Sequence, residues 1–559
     1  MRICLINSSY EGTGSPFEAA SYDPLPDPSR YIPKTRHEFI CKFVTKANAK
    51  AEIDEICKEK YDFFFNYMWG VESDNVAGLD ATLHLESKGI PILAQPSSFL
   101  SLTKLHLAKA AELKGLRMPQ NTPGKYPKIV KYAASCGSLG LDYHSVCHDE
   151  MAVKRRVAHL QQVGNTPLLV SDFIIGAEAS AMVIETGRDV VALTPLKYVF
   201  PQGTRPDQAF LTWHNKFEAC KDGTITYAFA EGTEKTRLQK AAVDAFRALE
   251  IQGAAWARVD MRLERGTNKI YVLEVNSIPA VFYPKGNKLG DDLVVEETFP
   301  GAHLALMDML LATKMIQLGL HKDKAKLLAA HYDKFAPSYD GNWRASGLCK
   351  VQQFLARTFD FGGEILDLAC GTGAVGRVLN EAGIEAEITG IEVSEGMLQC
   401  SADIYRYYKQ PIIIGPMEEE IMVSRRVTQE KPSDVGQAAG QYDHIVCFGA
   451  LHFLQPVMFN AVLAKMFMLA RKSVSFEIDD MPRSYTDFLL NLCGQLFMNY
   501  NHVQAIEQFG VPKGWELVHR SHEFLFTSPH TGHDIFGYAF RFERLPKKRL
   551  RFKDAGCWP

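Results

Sequence analysis

Two short strings carry side chains of the kind that hold ions and reacting groups. The first is Arg258-Val259-Asp260 with Val272-Leu273-Glu274-Val275-Asn276-Ser277-Ile278-Pro279. Asp260, Glu274 and Asn276 offer three oxygen donors, and a hard cation such as Mg²⁺ takes such oxygens together with the phosphate oxygens of a nucleotide. Arg258 stands two residues before Asp260 and so shares its strand face, where it could stabilise an oxyanion or a phosphoryl group. Solvent-facing strand positions are a poor explanation, because Glu274 and Asn276 interrupt an otherwise apolar run. The second string is Glu364-Ile365-Leu366-Asp367-Leu368-Ala369-Cys370-Gly371-Thr372-Gly373. It reads as an apolar strand entering a Gly-rich turn, where backbone can approach a ligand at the switch point of a doubly wound sheet. Glu392 follows roughly twenty residues on, where a carboxylate can accept hydrogen bonds from two ribose hydroxyls.

These groups need elements to position them. Trp256 to Leu263 and Lys269 to Val275 read as strands, joined by a turn around Arg265-Gly266-Thr267-Asn268. Glu274 and Asn276, two apart, then project from one face. In the second half, a helix over Ala374 to Ala382 follows the Gly-rich turn, and a strand over Ala386 to Val393 carries Glu392. Ser394 is placed to N-cap the helix of Ser394-Glu395-Gly396-Met397-Leu398. Glu516 to Thr527 and Gly537 to Arg544 read as an antiparallel pair completing that sheet, with His530 and His533 near its edge.

Short apolar runs alternate with helical patterns in both halves, which predicts an α/β class throughout. A chain of 559 residues exceeds one hydrophobic core. The clearest break follows the apolar helix Leu304 to Leu318, at Gly319 and the charged stretch His321 to Lys324. The expected division is a first domain at 1–318, a linker at 319–330 and a second domain at 331–559. Ser424 to Gln441 and Asp23 to Pro28 read as loops.

The first half resembles the ATP-grasp superfamily, in its D-alanine–D-alanine ligase branch. The Arg-x-Asp strand followed by Leu-Glu-Val-Asn-Ser-Ile-Pro carries the likeness. The resemblance implies three subdomains, at 1–100, 101–180 (ATP) and 181–318 (catalytic). It implies that Asp260, Glu274 and Asn276 hold Mg²⁺, and that Arg258 stabilises the tetrahedral intermediate. Upstream, Lys104 and Lys131 match nucleotide-contacting lysines. Ser135-Cys136-Gly137-Ser138-Leu139-Gly140 is similar to the loop over the phosphates, with Ser138 in it. Glu178 matches the ribose ligand, and Lys216 a lysine reaching the terminal phosphate from a mobile loop. Glu11 falls where these ligases grip a substrate ammonium. Two departures stand out. Ala280 replaces a Gly in the second-substrate site, where a backbone N–H would still be offered. Ser171 replaces an acidic residue, which moves adenine recognition to backbone groups or Asp172.

The second half resembles class I S-adenosylmethionine (SAM)-dependent methyltransferases, on Leu-Asp-Leu-Ala-Cys-Gly-Thr-Gly, Gly-Ile-Glu-Val-Ser-Glu-Gly-Met-Leu, and the lead-in Tyr332-Asp333-Lys334-Phe335-Ala336-Pro337-Ser338-Tyr339-Asp340. Carried over, Asp367, Gly371 and Gly373 line the methionine end, and Glu392 grips the ribose. Met397 and Met417 lie along the cofactor, Met417 where adenine contacts arise. Tyr332 and Tyr339 line the substrate pocket, and His452 is the candidate base.

The expected function is therefore bifunctional. ATP-dependent ligation of a carboxylate to an amine, through an acyl phosphate, accompanies methyl transfer from SAM in small-molecule, natural-product chemistry. The alternative is a methyltransferase, acting on a protein or small molecule, with a non-catalytic ATP-grasp module. A formal net charge of -3 supplies no basic field for nucleic acid or an anionic membrane. No apolar run is long enough to span a bilayer, and the N-terminus lacks the pattern of a signal peptide. Twelve scattered cysteines without a C-x-x-C pair fit free thiols in a reducing cytosol. The ligase family sets a mild expectation of a homodimer.

Overall fold

The computed structural model describes residues 1–14, 26–33, 35–70, 74–133, 138, 140–163, 167–220, 222–251, 253, 255–423, 441–493, 499–528 and 531–546. The loop expected at Ser424 to Gln441 lies outside these residues but for Gln441, that at Asp23 to Pro28 is described from Pro26 on, and His530 and most of the Ser135–Gly140 loop lie outside. The chain divides into two compact units, with the boundary between Thr298 and Phe299.

The first unit opens with four parallel strands, β1 (Arg2–Ser8), β2 (Glu38–Val44), β3 (Phe63–Asn66) and β4 (Ile92–Ala94), in the order β2-β1-β3-β4. Ile6, Val44, Ile53, Phe64 and Leu85 form their core. A small antiparallel sheet follows, from β5 (Lys128–Tyr132), β6 (Val146–Cys147) and β7 (Leu168–Asp172), in the order β6-β5-β7. Helix Glu150–Val163 covers it, and Leu160 packs on Val130 and Tyr132.

The third sheet bears the site. It comprises β8 (Gly176–Thr186), β9 (Asp189–Ala192), β10 (Leu196–Val199), β11 (Thr226–Phe229), β12 (Trp256–Glu264) and β13 (Ile270–Asn276). The order is β11-β10-β8-β12-β13, with β9 on β8. Strand alternation sorts its side chains. Ala257, Val259, Met261 and Leu263 enter a core with Leu238, Ala242 and Phe246 of the helix Gly232–Ala248. Arg258, Asp260 and Arg262 take the opposite face. On β13 the ladder shifts: Asp260 pairs with Glu274, but Met261 pairs with Val272. Leu273 is thus the extra residue of a β-bulge. The bulge lets Val272 sit in the core while Glu274, two residues on, faces the site.

The second unit contains one seven-stranded sheet. Its strands are β14 (Gly363–Leu368), β15 (Ala386–Glu392), β16 (Ile413–Ile414), β17 (Tyr442–Cys447), β18 (Ala470–Asp480), β19 (Trp515–Thr527) and β20 (Asp534–Arg544). The order is β16-β15-β14-β17-β18-β20-β19. The first five run parallel, and β20 and β19 close the edge as the expected antiparallel pair. The direction of winding reverses between β14 and β17, the switch point where such sheets bind ligands.

The division near residue 318 needs correcting. The apolar helix, observed at Ala302–Gln317, belongs to the second unit. It is buried nearly all round, and its Asp308 accepts a 2.7 Å bond from Asn460 of the helix Pro456–Leu469. A helix apolar on every side announces burial but not its neighbour. Gly319, at φ 72°, ends it as expected, with its N–H on the Ile316 carbonyl and the Leu320 N–H on that of Met315. The segment expected as a linker is mostly helical: one helix runs Lys322–Ala345.

Candidate active sites

The cleft of the first unit lies between the small antiparallel sheet and the third sheet. Lys104, Lys131, Ser138, Glu178, Lys216, Asp260 and Glu274 all line it. Lys104 opens the helix Lys104–Lys114, capped by Thr103, and its Nζ is 3.0 Å from Glu274 Oε2. Lys131, near the end of β5, is pushed down to about 8 by burial and then by the neighbouring Lys104 charge. Burial also works against the Glu274 carboxylate, yet Lys104, Lys216 and Lys131 hold it well below the usual range. Three cations and two carboxylates therefore converge on one cleft, an arrangement suited to a polyanion accompanied by a cation.

Asp260 is clasped by Arg258, with Nε 2.7 Å from Oδ1 and Nη2 3.0 Å from Oδ2. The Asn276 amide donates to Asp260 Oδ2 at 3.0 Å and to Glu274 Oε1 at 3.3 Å. The expected metal ligands are thus in mutual contact. For Asn276 to offer oxygen to a cation, its amide must turn over. Among the described residues no cluster of three His, Cys, Asp or Glu side chains forms a metal site by itself.

Glu178 and Arg262 organise the far wall. Arg262 Nη1 lies 2.9 Å from Glu178 Oε2, which also accepts from the Leu211 N–H at 3.2 Å. Arg262 further donates to the carbonyls of Ile174, Gly176 and Ala209, and packs over Phe173. Sequence reasoning missed Arg262, although its place two after Asp260 signalled the same face. Asp172 lines the cleft, but its carboxylate is held by Thr122, Lys128 and Lys125.

Two residues expected beside substrate have other surroundings. The Ala280 N–H, expected to be offered to substrate, donates to Asp291 Oδ2 at 2.7 Å, and Arg258 Nη1 reaches the same oxygen at 3.4 Å. Asp291 lies in the first turn of the helix Gly290–Thr298, too far along the chain for local spacing to have shown it. Glu11 is exposed in a turn and does not line the cleft.

The cleft of the second unit forms at the ends of β14, β15 and β17. Gly371, Glu392, Met397, Met417, Tyr332 and Tyr339 line it. Glu392 accepts from the Gly371 N–H at 2.8 Å through Oε2, and from the Val393 and Ser394 N–H groups at 2.9 and 2.8 Å through Oε1. Burial raises its pKa against those donors. Gly371 stands at φ 55°, in the left-handed region that favours glycine, and a Cβ there would meet the end of the Met397 side chain at 3.2 Å.

Helix Lys322–Ala345 supplies one whole wall. Lys324, Leu328, Tyr332 and Tyr339 face the cleft. Asp333 fastens the helix by accepting from Ser394 Oγ at 2.6 Å and from the Gly396 N–H at 2.9 Å. Asp340 holds Thr372 at 2.6 Å and Arg377 at 2.8 Å. Lys324 is pushed down to about 8 by burial. This lysine fell in the expected linker, where no motif marked it.

Three expected contacts differ. Asp367 and Gly373 do not line the cleft. Asp367 lies behind it, accepting a 2.6 Å bond from Tyr408, and burial lifts its carboxyl to about 7. Gly373, at φ 84°, heads the helix Ala374–Glu381 and packs against Ile404 and Tyr408. His452 sits in the one-turn helix Leu451–Phe453 beside the wall, buried, with Nδ1 3.3 Å from Asp479 Oδ1.

Residues 86–282 match the family model described as the D-ala D-ala ligase C-terminus, and residues 365–473 match the one described as a methyltransferase domain. The D-alanine–D-alanine ligase of Polaromonas naphthalenivorans is 30% identical over 155 residues, which is 28% of this chain and 44% of that protein. That of Herminiimonas arsenicoxydans is 25% identical over 292 residues, 46% of this chain and 84% of its own length. The chain spans somewhat under half the length of the first curated relatives it matches. Among solved structures, the Bacillus anthracis D-alanine–D-alanine ligase complexed with ATP aligns at 17% identity and a TM-score of 0.39, covering 56% of this chain and 97% of its own. The magnesium protoporphyrin IX methyltransferase of Synechocystis PCC 6803 aligns at 20% identity and a TM-score of 0.25, covering 35% and 81%.

Proposed function

With an ATP-grasp domain of the D-alanine–D-alanine ligase type in its first half and a methyltransferase domain in its second, we propose that the protein is a bifunctional small-molecule biosynthetic enzyme. The first unit joins a carboxylic acid to an amine at the expense of ATP, and the second methylates a substrate or the product. The observation that carries this reading is the convergence of Lys104, Lys131 and Lys216 with Asp260 and Glu274 on one cleft. Such a set has little to do in a module that merely keeps its fold.

ATP supplies a phosphoryl group that turns the acid into an acyl phosphate. Lys131, Lys104 and Lys216 neutralise the phosphates, and Glu178 takes the ribose. Asp260, Glu274 and a turned Asn276 are the oxygen donors that would hold Mg²⁺, and the ion would supply positive charge to offset that of the phosphates. Arg258 offers its guanidinium to the oxyanion formed when the amine attacks. Asp291 already draws on both Arg258 and the Ala280 N–H. It thereby fixes the direction of the Arg258 guanidinium and of the Ala280 backbone. In the second unit Glu392 receives the ribose of SAM, while Tyr332 and Tyr339 shape the space beside the methyl group.

Release of ADP tests the ligase half. Full-length protein is screened over pairs of acids and amines with ATP and Mg²⁺. Pair-dependent ADP release that is lost in Glu274→Gln supports the assignment. Release that is the same in Glu274→Gln rejects it.

A further inference from the structure

Helix Lys322–Ala345 runs the length of the methyltransferase cleft, and its ends meet different parts of it. The lining residues Lys324, Leu328, Tyr332 and Tyr339 share one stripe of the helix. From Lys324 to Tyr339 that stripe covers roughly 22 Å at 1.5 Å per residue. Tyr339 stands at the Gly371 end, where a Cβ on Gly371 would come within 3.9 Å of its ring. Lys324 stands at the other. His321, just before the helix, has Nε2 2.8 Å from Oε2 of Glu419 in the short helix Met417–Glu420, and both side chains are buried. That pair pins the first turn of the long helix to the chain that leaves β16. Lys324 thereby comes beside Glu418, which also lines the cleft, and the two charges act on each other.

β16, β15 and β14 lie side by side in that order. Gly371 follows β14, Glu392 ends β15, and the Gly415 N–H after β16 donates to the Glu392 carbonyl at 2.9 Å. A nucleoside whose ribose meets Glu392, and whose amino-acid arm runs toward Gly371, therefore has its base at the β16 side. There Leu328, Pro416, Met417 and Leu454 supply apolar walls for a flat ring. At the end of those walls stand a donor and an acceptor. Lys324, 9% exposed, holds its Nζ 4.8 Å from the centre of the Tyr500 ring, which helps fix the ammonium. Glu418 offers carboxylate oxygens. Adenine carries the complementary pattern: an amino group that donates, flanked by ring nitrogens that accept.

We propose that Lys324 is a cofactor-binding residue, donating to a ring nitrogen beside the adenine amino group while Glu418 accepts from that amino group. This rests on the SAM reading of the cleft. A cation and an anion side by side read both atoms of the base edge with charged groups, and hydrogen bonds to charged groups are the stronger kind. The reading also gives the start of the long helix a task. His321 and Glu419 are positioning residues that hold the donor at the base, and only Lys324 and Glu418 touch it.

The test is calorimetry on the full chain with S-adenosylhomocysteine and its 1-deaza and 7-deaza analogues, each of which replaces one ring nitrogen by C–H. The wild type is expected to bind at least one analogue about tenfold or more weakly than S-adenosylhomocysteine. Lys324→Met is expected to bind that analogue and S-adenosylhomocysteine within about twofold of each other, because the donor that told them apart is gone. A lysine that only supports the fold would weaken all three ligands alike and leave their ratios unchanged in Lys324→Met; that outcome overturns the proposal. A wild type that binds both analogues as tightly as S-adenosylhomocysteine overturns it as well, and needs no variant to fold. A wild type that does not bind S-adenosylhomocysteine at all overturns the methyltransferase reading, and the proposal with it.

Discussion

Lys131 should impose an alkaline limit on nucleotide binding. Burial and the adjacent Lys104 bring its ammonium down to about 8 in the ligand-free protein. A bound polyphosphate adds negative charge beside it and restores the ordinary basicity, so binding takes up a proton wherever Lys131 is neutral beforehand. The sign follows: affinity is full below the free-protein value and falls as pH rises through it. With that value, about 76% of molecules carry the charge at pH 7.5 and about 9% at pH 9. The dissociation constant of ADP should rise about eightfold between those points, equivalent to about 1.2 kcal/mol. Calorimetry at pH 8 in two buffers of different ionisation heat should count about half a proton taken up per ADP. Lys131→Arg, charged throughout, should give a flat profile. A wild-type constant steady within about twofold, or an equal slope in Lys131→Arg, refutes the reasoning.

Three further outcomes are expected. Glu392→Ala should abolish measurable S-adenosylhomocysteine binding, since three backbone N–H groups lose their acceptor and the ribose its partner; micromolar binding by calorimetry would contradict this. Asp291→Ala, which removes the acceptor that holds Arg258 and the Ala280 N–H, should lower kcat/KM in the ADP assay by at least about tenfold; an unchanged value removes Asp291 from the site. Asp367 binds its proton more tightly folded than unfolded, so its contribution is present at acid pH and is lost as pH rises toward about 7. Asp367→Asn should therefore raise the melting temperature more at pH 8 than at pH 5, and an equal or smaller rise at pH 8 contradicts the assignment.

Local spacing made much of this legible. Arg258, Asp260, Glu274 and Asn276 could be placed on shared faces because strand alternation is a local rule, and Glu392 followed from a strand end. The order of the motifs also placed Lys104, Lys131, Glu178 and Lys216 in one cleft. What escaped was decided by packing between distant segments. Asp291 takes the Ala280 N–H from eleven residues away. The helix Ala302–Gln317 is apolar on all sides, so its composition could not say which unit buries it. Asp367, on β14, and Gly373, in the turn after it, belong to a motif that names the ligand, but backbone direction turns them toward Tyr408. Lys324 required a helix to run through a stretch whose charge and glycine suggested a break.

The extra residue in β13 has a consequence for how this site can change over descent. Residues on either side of Leu273 pair one to one with β12, so removing Leu273 alone would leave Asp260 opposite Glu274 and Met261 opposite Val272. Deleting Val272 instead would put Leu273 opposite Met261, one apolar side chain for another, whereas deleting Glu274 would put Leu273 opposite Asp260 and cost the site its carboxylate. Codon-by-codon deletion through this strand should thus tolerate the loss of Leu273 or Val272 and not that of Glu274. Homologues aligned across it should be expected to differ in length there before they differ in the acidic residues beside it.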